Sequence, residues 1–347
     1  MAPLTIEQVA QLATVSRSTV SRVLNNHPGV RDGVRERVQR IIEEHGYAPK
    51  AAARSLVRQR TSVLGVLIPR SAAVIFSDPF FCSIIQGINE VCVQHDYFLM
   101  LSTVIAEAEH DFYQRILRSR HFDGVIMLSS DIDDPLLPLL LRDQMPLVLI
   151  GRHPYFQDLS WVDVENREGA RMAVTHLIRL GHRCIATIAG PLQMAAAIDR
   201  RDGYKVALLE HRIPIEHDLI IESDFTQQGG YSAMRRLLAR PHRPSAVFVA
   251  SDTMAIGALR ALHDAGLSVP HDMALVGFDD LPATAFANPP LTTVRQHIHA
   301  MGTLATQVMI NALEHPEHRP IQQYLPTSLV IRQSCGASGL DMVIGQR

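Results

Sequence analysis

Two arginines and two serines near the start of the chain form a polar face that could hydrogen-bond to DNA. The four residues are Arg17, Ser18, Ser21 and Arg22. An arginine side chain can donate two parallel hydrogen bonds to guanine, and a serine hydroxyl can reach a base edge or a phosphate oxygen. Such side chains at the N-terminal end of a helix are typical of a recognition helix in the major groove.

Two short helices are predicted to position this face. Thr5 and Gln8 have the spacing of a capping box, so the first helix begins at Thr5. Its apolar side carries Ile6, Val9, Ala10 and Ala13. Ser16 is the predicted N-cap of the second helix. The buried side of that helix carries Val20, Val23 and Leu24. On these residues alone, a solvated helical hairpin with a charged face is the simpler interpretation.

The residues that follow these two helices favour a nucleic-acid partner. A third amphipathic helix, ended by Gly46, is predicted from Val34, Val38, Ile41 and Ile42. The basic segment PKAAARSLVRQR comes next. Residues 1–60 hold ten Lys and Arg against five Asp and Glu, whereas the remainder holds 23 against 30. A small basic head on an acidic body indicates a polyanionic partner for the head alone.

From Ser62 onward, apolar strands alternate with amphipathic helices, which is typical of parallel sheets. The predicted strands are SVLGVLIP, YFLMLS, GVIML, PLVLI, one at Val162, CIATIA, one that ends at Ser223, AVFVA, ALVGF and a late strand near 324–331. The predicted helices cover 80–94, 107–120, 169–180, 200–210, 230–238, 254–265 and 298–313. The cycle begins afresh after PLVLI, so we expect two similar lobes, with the chain after Leu291 crossing back between them.

The head resembles the lactose/galactose repressor family of bacterial transcription regulators. The matching text is VAQLATVSRSTVSRVLN, then HGYAPK, then ARSL. The resemblance implies that Arg17, Ser18 and Arg22 read bases. It also implies that six residues position the head on the DNA backbone: Thr5, Ser16, Thr19, Ser21, Asn25 and Tyr47.

Two residues of the head depart from the family pattern. Thr14 occupies the turn position where the family usually has glycine, and a β-branched residue is costly at positive φ. We therefore expect either a shifted turn or some loss of stability. Lys50 replaces a common asparagine and adds a positive charge that suits a phosphate.

The segment Pro49 to Arg60 has two interpretations. It is a candidate helix too short to be stable alone in water. In the family, two such hinge helices, one per subunit, pair over the minor groove and insert a leucine into a base step. By resemblance, Leu56 is that wedge and Ala53 allows the close helix contact. A flexible basic linker is the alternative.

The body resembles the periplasmic sugar-binding fold that this family shares. Family-like text includes NREGARMAVTHLIRLGHRCIATIAGP, SDTMAIGALRALHDAGLSVP, LVGFDD, PPLTTVRQ and VIRQS. The predicted fold class is an all-α helix-turn-helix head followed by a two-lobed α/β domain with parallel sheets. The expected domains are a head at 1–48, a hinge at 49–61, an effector-binding and dimerisation domain at 62–335, and a tail at 336–347. Lobe 1 is expected at about 62–160 and 292–320, and lobe 2 at about 161–291 and 321–335.

Ligands of open parallel sheets bind beyond the carboxyl ends of the strands, so we expect an effector site in the cleft between the lobes. Phe80 and Phe81 follow the first strand. They could stack on a sugar ring or a base, or only cap and pack the next helix. The resemblance implies that Arg200 holds ligand hydroxyls or carboxylates and that Asp279 accepts hydrogen bonds from ligand hydroxyls.

Three further positions bear on the ligand. The resemblance implies that Phe225 stacks on it and that Ser251 faces it. Some sugar-responsive members have an aspartate where this chain has Arg152, and the sequence leaves open whether Arg152 binds ligand or bridges the lobes. Carboxylate acceptors with aromatic stacking favour a sugar or sugar derivative. A purine or nucleoside effector, or a protein co-effector, is the alternative.

Other function classes find little support in the sequence. The cysteines Cys82, Cys92, Cys184 and Cys335 are scattered and predict neither disulfides nor a zinc site. We find no GxxxxGK[ST], GxSxG or HExxH, so neither an enzyme nor a cofactor is predicted. The acidic cluster at Asp131, Asp133 and Asp134 is expected to be a solvated loop. The pairs His297 with His299 and His315 with His318 lack companions at ligand spacing.

The sequence thus predicts a cytoplasmic bacterial repressor that is switched by a small effector. We expect it to bind a pseudopalindromic double-stranded operator as a homodimer. No export signal or membrane span is recognised, which disfavours a sugar-binding transport component. The tail GASGLDMVIGQR is too short and polar for a tetramer-forming leucine heptad.

Overall fold

The computed structural model describes residues 4–24, 27–47, 60–103, 121–128 and 131–337. The chain divides into two compact units, Met1–Ser62 and Val63–Arg347. Among the described residues, no helix is long and apolar enough to cross a membrane.

The described part of the first unit contains three helices: α1 (Ile6–Leu12), α2 (Arg17–Leu24) and α3 (Asp32–Glu44). The predicted capping box is confirmed, because the Gln8 amide donates to Thr5 Oγ1 at 3.4 Å and the Thr5 amide donates to Gln8 Oε1 at 2.8 Å. The three helices enclose a small core of Val9, Ala10, Ala13, Val20, Val23, Val30 and Val38.

The turn between α1 and α2 keeps a left-handed residue at Thr14. Its φ is 53°, and its amide donates to the Gln11 carbonyl at 3.1 Å. Ser16 then caps α2, since its Oγ accepts from the Thr19 amide at 3.2 Å. A residue with a side chain is disfavoured in this left-handed region, so we expect Thr14 to lower the stability of the head.

Strands and helices alternate in the second unit. Its strands are β1 (Val63–Ile68), β2 (Phe98–Thr103), β3 (Gly124–Leu128), β4 (Leu147–Ile150), β5 (Ser160–Val164), β6 (Ile185–Ala189), β7 (Ile220–Glu222), β8 (Ala246–Val249), β9 (Ala274–Asp279), β10 (Thr292–Arg295), β11 (Gln322–Leu325) and β12 (Ser328–Val330). Its helices are α4 (Ala72–Ser77), α5 (Pro79–Gln94), α6 (Leu136–Arg142), α7 (Asn166–Arg179), α8 (Ala195–Glu210), α9 (Gln227–Leu238), α10 (Asp252–Asp264) and α11 (Ile298–Glu314). The predicted helix at 107–120 lies outside the described residues.

The predicted two-lobed α/β architecture is confirmed. One six-stranded sheet has the order β11-β5-β4-β3-β1-β2 and the other has the order β12-β10-β9-β8-β6-β7. Among the described strands, every pairing is parallel except that of β10 with β12. Buried side chains pack on both faces of each sheet, which explains the continuous apolar runs in the central strands.

Strand pairing corrects the expected lobe limits at three places. Residues 161–164 belong to β5, which pairs with β4 in the first sheet, whereas they were expected in lobe 2. Residues 292–295 form β10 beside β9 in the second sheet, not in lobe 1. Residues 322–325 form β11 beside β5, not in lobe 2. In each case the chain completes a strand in one sheet before it crosses.

The single strand expected near 324–331 is two strands in different sheets. β11 ends at Leu325 and β12 begins at Ser328, with Pro326 between them. Proline has no amide hydrogen to donate to a ladder, so a continuous central strand through this point is disfavoured. The chain therefore passes between the lobes here, as it also does after Val164 and after Arg295.

Candidate functional site

The predicted base-reading residues lie on the outer face of α2. Arg17, Ser18 and Arg22 are exposed, while Val20 and Val23 on the opposite face are buried. Arg17 forms an ion pair of 3.4 Å with Glu7 of α1, and both side chains are largely exposed. An exposed pair of this kind is weak, so Arg17 can exchange it for a base or phosphate at little cost.

The predicted backbone-positioning residues have mixed local roles. Thr5 and Ser16 cap the two helices, and Ser16 Oγ also lies 2.7 Å from Ser18 Oγ and 2.9 Å from Thr19 Oγ1. Tyr47 is half-buried and packs on the small core of the head. Ser21 is half-buried on α2. Asn25 lies outside the described residues, and so does the predicted hinge at 49–61, with Ala53 and Leu56, except for residues 60 and 61.

One cavity in the second unit collects all six predicted effector residues. It encloses about 1140 Å³, its open mouth included, and lies at the carboxyl ends of strands from both sheets. The six are Phe80, Phe81, Arg200, Phe225, Ser251 and Asp279. Their convergence from five separate stretches of chain follows from the parallel strand arrangement.

Arg200 is the most enclosed cation of the cavity. Only 6% of the residue is exposed, and its Cζ lies 3.8 Å from the ring centroid of Phe278. Its Nε donates to Asn166 Oδ1 at 2.8 Å, and its Nη1 donates to the Ala250 carbonyl at 2.6 Å and to Asp279 Oδ1 at 3.3 Å. Burial lowers the pKa of Arg200, and the nearby carboxylates, Asp279 first among them, oppose that shift.

Asp279 ends β9 beside Arg200 and is equally enclosed. Besides Arg200, Gln296 Nε2 donates to its Oδ1 at 2.5 Å, and the Asp252 amide donates to its Oδ2 at 3.4 Å. Burial raises the pKa of Asp279, and Arg200 acts against that shift. Its φ of 124° is rare for a residue with a side chain. The fold holds this carboxyl at the cavity wall despite that strain.

Phe225 also adopts a left-handed backbone, with φ 64°. Its ring lies against Gly190 at the end of β6, where a Cβ atom would come within 2.1 Å of the ring. Strained residues of this kind often stand at ligand sites, where the surroundings hold the side chain in place. The structure thus presents one aromatic face to the cavity.

The remaining three predicted residues also have structural roles. Phe81 is 6% exposed and belongs to the core of the first lobe, while Phe80 is half-buried and meets it edge-on at 5.4 Å. Asp78 caps their helix by accepting from the Phe80 amide at 3.0 Å. Ser251 Oγ caps α10 by accepting from the Met254 amide at 3.2 Å. Most of the surface of Phe81 is buried in the core, as the packing interpretation predicts.

Sequence reasoning missed a buried polar network in the wall of the cavity. Asp163 Oδ1 accepts from Asn166 Nδ2 at 2.9 Å, and the same Asn166 accepts from Arg200. Burial raises the pKa of Asp163 to about 6. Asp163 and Asn166 flank the first crossing between the lobes, and Gln296 lies in the second. The signal available in the sequence was a polar residue that interrupts or ends an apolar strand.

Arg152 bridges the lobes and also lines the cavity. It follows β4 of the first lobe, and its Nε and Nη2 donate to the two carboxylate oxygens of Asp199 on α8 of the second lobe, at 2.9 and 2.5 Å. The bridging alternative left open by the sequence is therefore present in this conformation. A second contact between the lobes joins Thr253 Oγ1 to Asp78 Oδ2 at 3.3 Å.

The histidines after α11 do have a companion, which corrects the sequence interpretation. Glu317 lies 3.6 Å from His315 and 3.8 Å from His318, and all three residues are exposed. The two imidazole rings stack with centroids 4.7 Å apart. The missed companion stands between the two histidines in the sequence HPEH.

Two protein families match separate parts of the chain. Residues 5–50 match the bacterial regulatory proteins of the lacI family, and residues 174–335 match the periplasmic binding protein-like domain. The HTH-type transcriptional regulator CelR of Thermobifida fusca is 39% identical over 95% of this chain and 98% of its own length. The ribose operon repressor of Escherichia coli K12 is 35% identical over 90% of this chain and 94% of its own.

Solved structures extend the likeness to the whole fold. A complex of the transcriptional regulator CelR with cellobiose superimposes with a TM-score of 0.77 at 37% identity, covering 95% of this chain and 99% of that one. The lac repressor dimer bound to operator and an anti-inducer superimposes with a TM-score of 0.82 at 28% identity, covering 96% and 100%.

Proposed function

This chain belongs to the lacI family of bacterial regulatory proteins, and from that premise we propose that it is a transcriptional repressor switched by a sugar bound in the cleft. The observation that carries the effector half is the convergence of Arg200, Phe225 and Asp279 on one cavity. Charged hydrogen-bonding groups beside an aromatic face suit a pyranose or furanose ring, whose hydroxyls need acceptors and donors and whose C–H face needs an apolar surface.

Each of the six cleft residues has a proposed part. Arg200 and Asp279 hold ligand hydroxyls, and Phe225 stacks on the ring. Phe80 and Phe81 supply apolar wall, and Ser251 faces the ligand from the start of α10. Arg200 Nη1 donates to Asp279 Oδ1 at 3.3 Å. A ligand hydroxyl that binds one of these side chains therefore also interacts electrostatically with the other.

The head is proposed to read a pseudopalindromic operator as one half of a homodimer. Arg17, Ser18 and Arg22 meet base edges in the major groove, while Thr5, Ser16, Thr19, Ser21, Asn25 and Tyr47 fix the head on the backbone. By family resemblance, Leu56 and Ala53 serve a hinge that pairs with its counterpart over the minor groove. We place this activity in the cytoplasm, at the nucleoid, where operator DNA is found.

The proposed switch is a change in lobe closure. A ligand that binds the closed cleft more tightly than the open cleft shifts the population toward closure, and closure alters how the two heads of a dimer are spaced. The relatives are regulators rather than enzymes, and the proposal includes no catalytic step. A purine or protein effector is the alternative, and the CelR complex with cellobiose favours the sugar.

One experiment tests both halves. The full chain is titrated with cellobiose, ribose, glucose and galactose by calorimetry, with adenine and guanine as the purine arm, in the presence and absence of a DNA site selected from a random pool. We expect one sugar to bind and to change DNA affinity, and we expect Arg200→Ala or Asp279→Ala to lose that response while retaining DNA binding. Binding of a purine alone would overturn the sugar assignment.

A second measurement tests the DNA half. The affinity for the selected site should fall steeply as salt rises from about 50 to 200 mM, because phosphate contacts release counterions. Leu56→Ala should weaken DNA binding and leave sugar affinity intact. An affinity that is flat with salt, or equal losses of DNA and sugar binding in Leu56→Ala, would contradict the proposal.

A further inference from the structure

The charged side chains around the cleft are arranged unevenly. Three arginines line the cavity: Arg70, Arg152 and Arg200. Each of them is already bonded to a carboxylate within the protein. The aspartates that line the same cavity are more numerous. The balance between these two sets decides which charge a ligand can carry.

Of the three arginines, Arg152 has the strongest pairing with a carboxylate. Its two hydrogen bonds to Asp199 form a fork, which is the strongest geometry available to a guanidinium group and a carboxylate. Its backbone amide donates to Asp163 Oδ2 at 3.1 Å. The side chain is therefore held at the cavity wall with its charge met by Asp199 from the opposite lobe.

The other two arginines are also committed. Arg70 Nη2 donates to Asp131 Oδ1 at 3.0 Å, and its Nη1 donates to the Pro69 carbonyl at 2.7 Å. Arg200 donates to Asn166, to the Ala250 carbonyl and to Asp279. Among the described residues that line the cavity, no other arginine and no lysine stands ready to meet an anion.

Carboxyl groups outnumber these cations. Asp78, Asp163, Asp224 and Asp279 line the cavity, and Asp131 and Asp199 stand behind Arg70 and Arg152. Six carboxyl groups thus face three guanidinium groups. Burial raises the pKa of Asp78, Asp163 and Asp279. A carboxyl group can bond to a sugar hydroxyl whether it is ionised or protonated, whereas an ionised carboxylate repels a ligand carboxylate or phosphate.

We propose that this cleft selects uncharged sugars over sugar acids and sugar phosphates, and that Asp199 sets the selectivity by occupying the guanidinium donors of Arg152. The inference rests on the proposed sugar site and names the class of sugar that the site accepts. A negative ligand would enter a cavity in which each described guanidinium group is already paired with a carboxylate and in which carboxyl groups outnumber guanidinium groups, so unmatched negative charge disfavours it.

Matched ligand pairs test the selectivity. Calorimetry on the full chain compares glucose with glucuronate, galactose with galacturonate, and cellobiose with its terminal uronate. We expect at least one neutral sugar to bind and its acid to bind tenfold more weakly or worse. An acid that binds as tightly as its neutral partner would overturn the inference and leave the sugar site standing. Failure of every sugar and every acid would overturn the proposed function itself, and the inference with it.

Asp199→Asn tests the mechanism. The substitution keeps the shape of the side chain, removes its charge and leaves the Arg152 guanidinium unpaired at the cavity wall. The ratio of neutral to acid affinity should fall by about tenfold. The matched control is Asp202→Asn on the same helix, which releases Arg201 outside the cavity from its bond at 2.8 Å. The control should keep the wild-type ratio.

A second variant keeps the inference testable if Asp199→Asn fails to fold. Asp131→Asn releases Arg70, and both side chains of this pair are partly exposed to solvent, so the fold should tolerate it. It should also lower the ratio of neutral to acid affinity. A ratio unchanged in both folded variants, or a ratio that falls equally in Asp202→Asn, would contradict the role assigned to the paired arginines.

Discussion

The ring of Phe225 lies against the backbone of Gly190. A Cβ atom built on Gly190 would stand 2.1 Å from Cζ of that ring, closer than any two such atoms approach in a real protein. Phe225 is held at φ 64°, and its ring occupies the space that a Cβ atom on residue 190 would need. The glycine at the end of β6 therefore determines where the aromatic face of the cleft lies.

Gly190→Ala should displace this ring and weaken sugar binding. Loss of one aromatic face costs about 0.5–1.5 kcal/mol, which corresponds to roughly a three- to tenfold weaker affinity. Calorimetry of the full chain with the sugar that binds wild type measures the change. Gly33→Ala is the control, since a Cβ there meets nothing within 4 Å. Wild-type affinity in Gly190→Ala would show that Phe225 does not contact the ligand.

Thr14→Gly should stabilise the head. A residue with a side chain in the left-handed region costs about 1–2 kcal/mol, and the added freedom of glycine in the unfolded chain returns roughly half of that. We therefore expect a gain of about 0.5–1 kcal/mol, measured by hydrogen exchange of the α1 and α2 amides in the full chain. Ala13→Gly at the neighbouring position has φ −80° and a fully buried side chain, so it should destabilise the same amides. Equal protection in wild type and Thr14→Gly would mean that the turn relaxes without strain.

The elements of this fold that could be predicted are those with local signals. The capping box at Thr5 and Gln8 and the apolar face of α2 are set by residues within one or two turns of each other. The six cleft residues could be predicted as a group because the strands of a parallel sheet end at one edge and because the family resemblance placed four of them at ligand positions. Their individual contacts, such as the capping bonds of Ser251, depend on the path of the following backbone.

The parts that could not be predicted depend on contacts between distant segments. Arg152 and Asp199 are 47 positions apart and meet only because the two lobes face each other in this conformation. The sequence shows Asp199 as one charge among several in α8. The lobe limits were also wrong by one strand at each crossing, because hydrophobic periodicity marks a strand but not the sheet in which it finds its hydrogen bonds.

Asp163 should make stability depend on pH. Burial raises its pKa in the folded chain from the ordinary 3.8 to about 6, so folding favours the protonated carboxyl. The stability it contributes is fully present below pH 3.8 and is lost as pH rises through about 6. The free energy of unfolding of wild type relative to Asp163→Asn should therefore fall between pH 4 and 6.5, by on the order of 3 kcal/mol, and then level off.

Denaturant unfolding at a series of pH values measures this difference. Glu168→Gln serves as a control of opposite sign, because the hydrogen bonds from Arg171 lower the pKa of Glu168. The free energy of unfolding of wild type relative to Glu168→Gln should rise as pH rises through the range in which Glu168 titrates. A constant difference between wild type and Asp163→Asn from pH 4 to 6.5 would contradict the raised pKa of Asp163.

Arg22→Ala should impair DNA reading without loss of stability. The residue is exposed on the outer face of α2, so its removal leaves the core of the head intact. A bidentate contact between arginine and guanine is worth about 1–3 kcal/mol, so the affinity for a site selected by wild type should fall roughly 10- to 100-fold. Fluorescence anisotropy with that site and with a scrambled duplex separates the loss of base reading from the loss of charge.

Arg37→Ala is the control for charge. It removes the same charge from an exposed position on α3 and should weaken binding to both duplexes by a similar, smaller factor. If Arg22→Ala and Arg37→Ala lost affinity for the two duplexes alike, Arg22 would act through its charge alone and the assignment of α2 as the reading helix would fail.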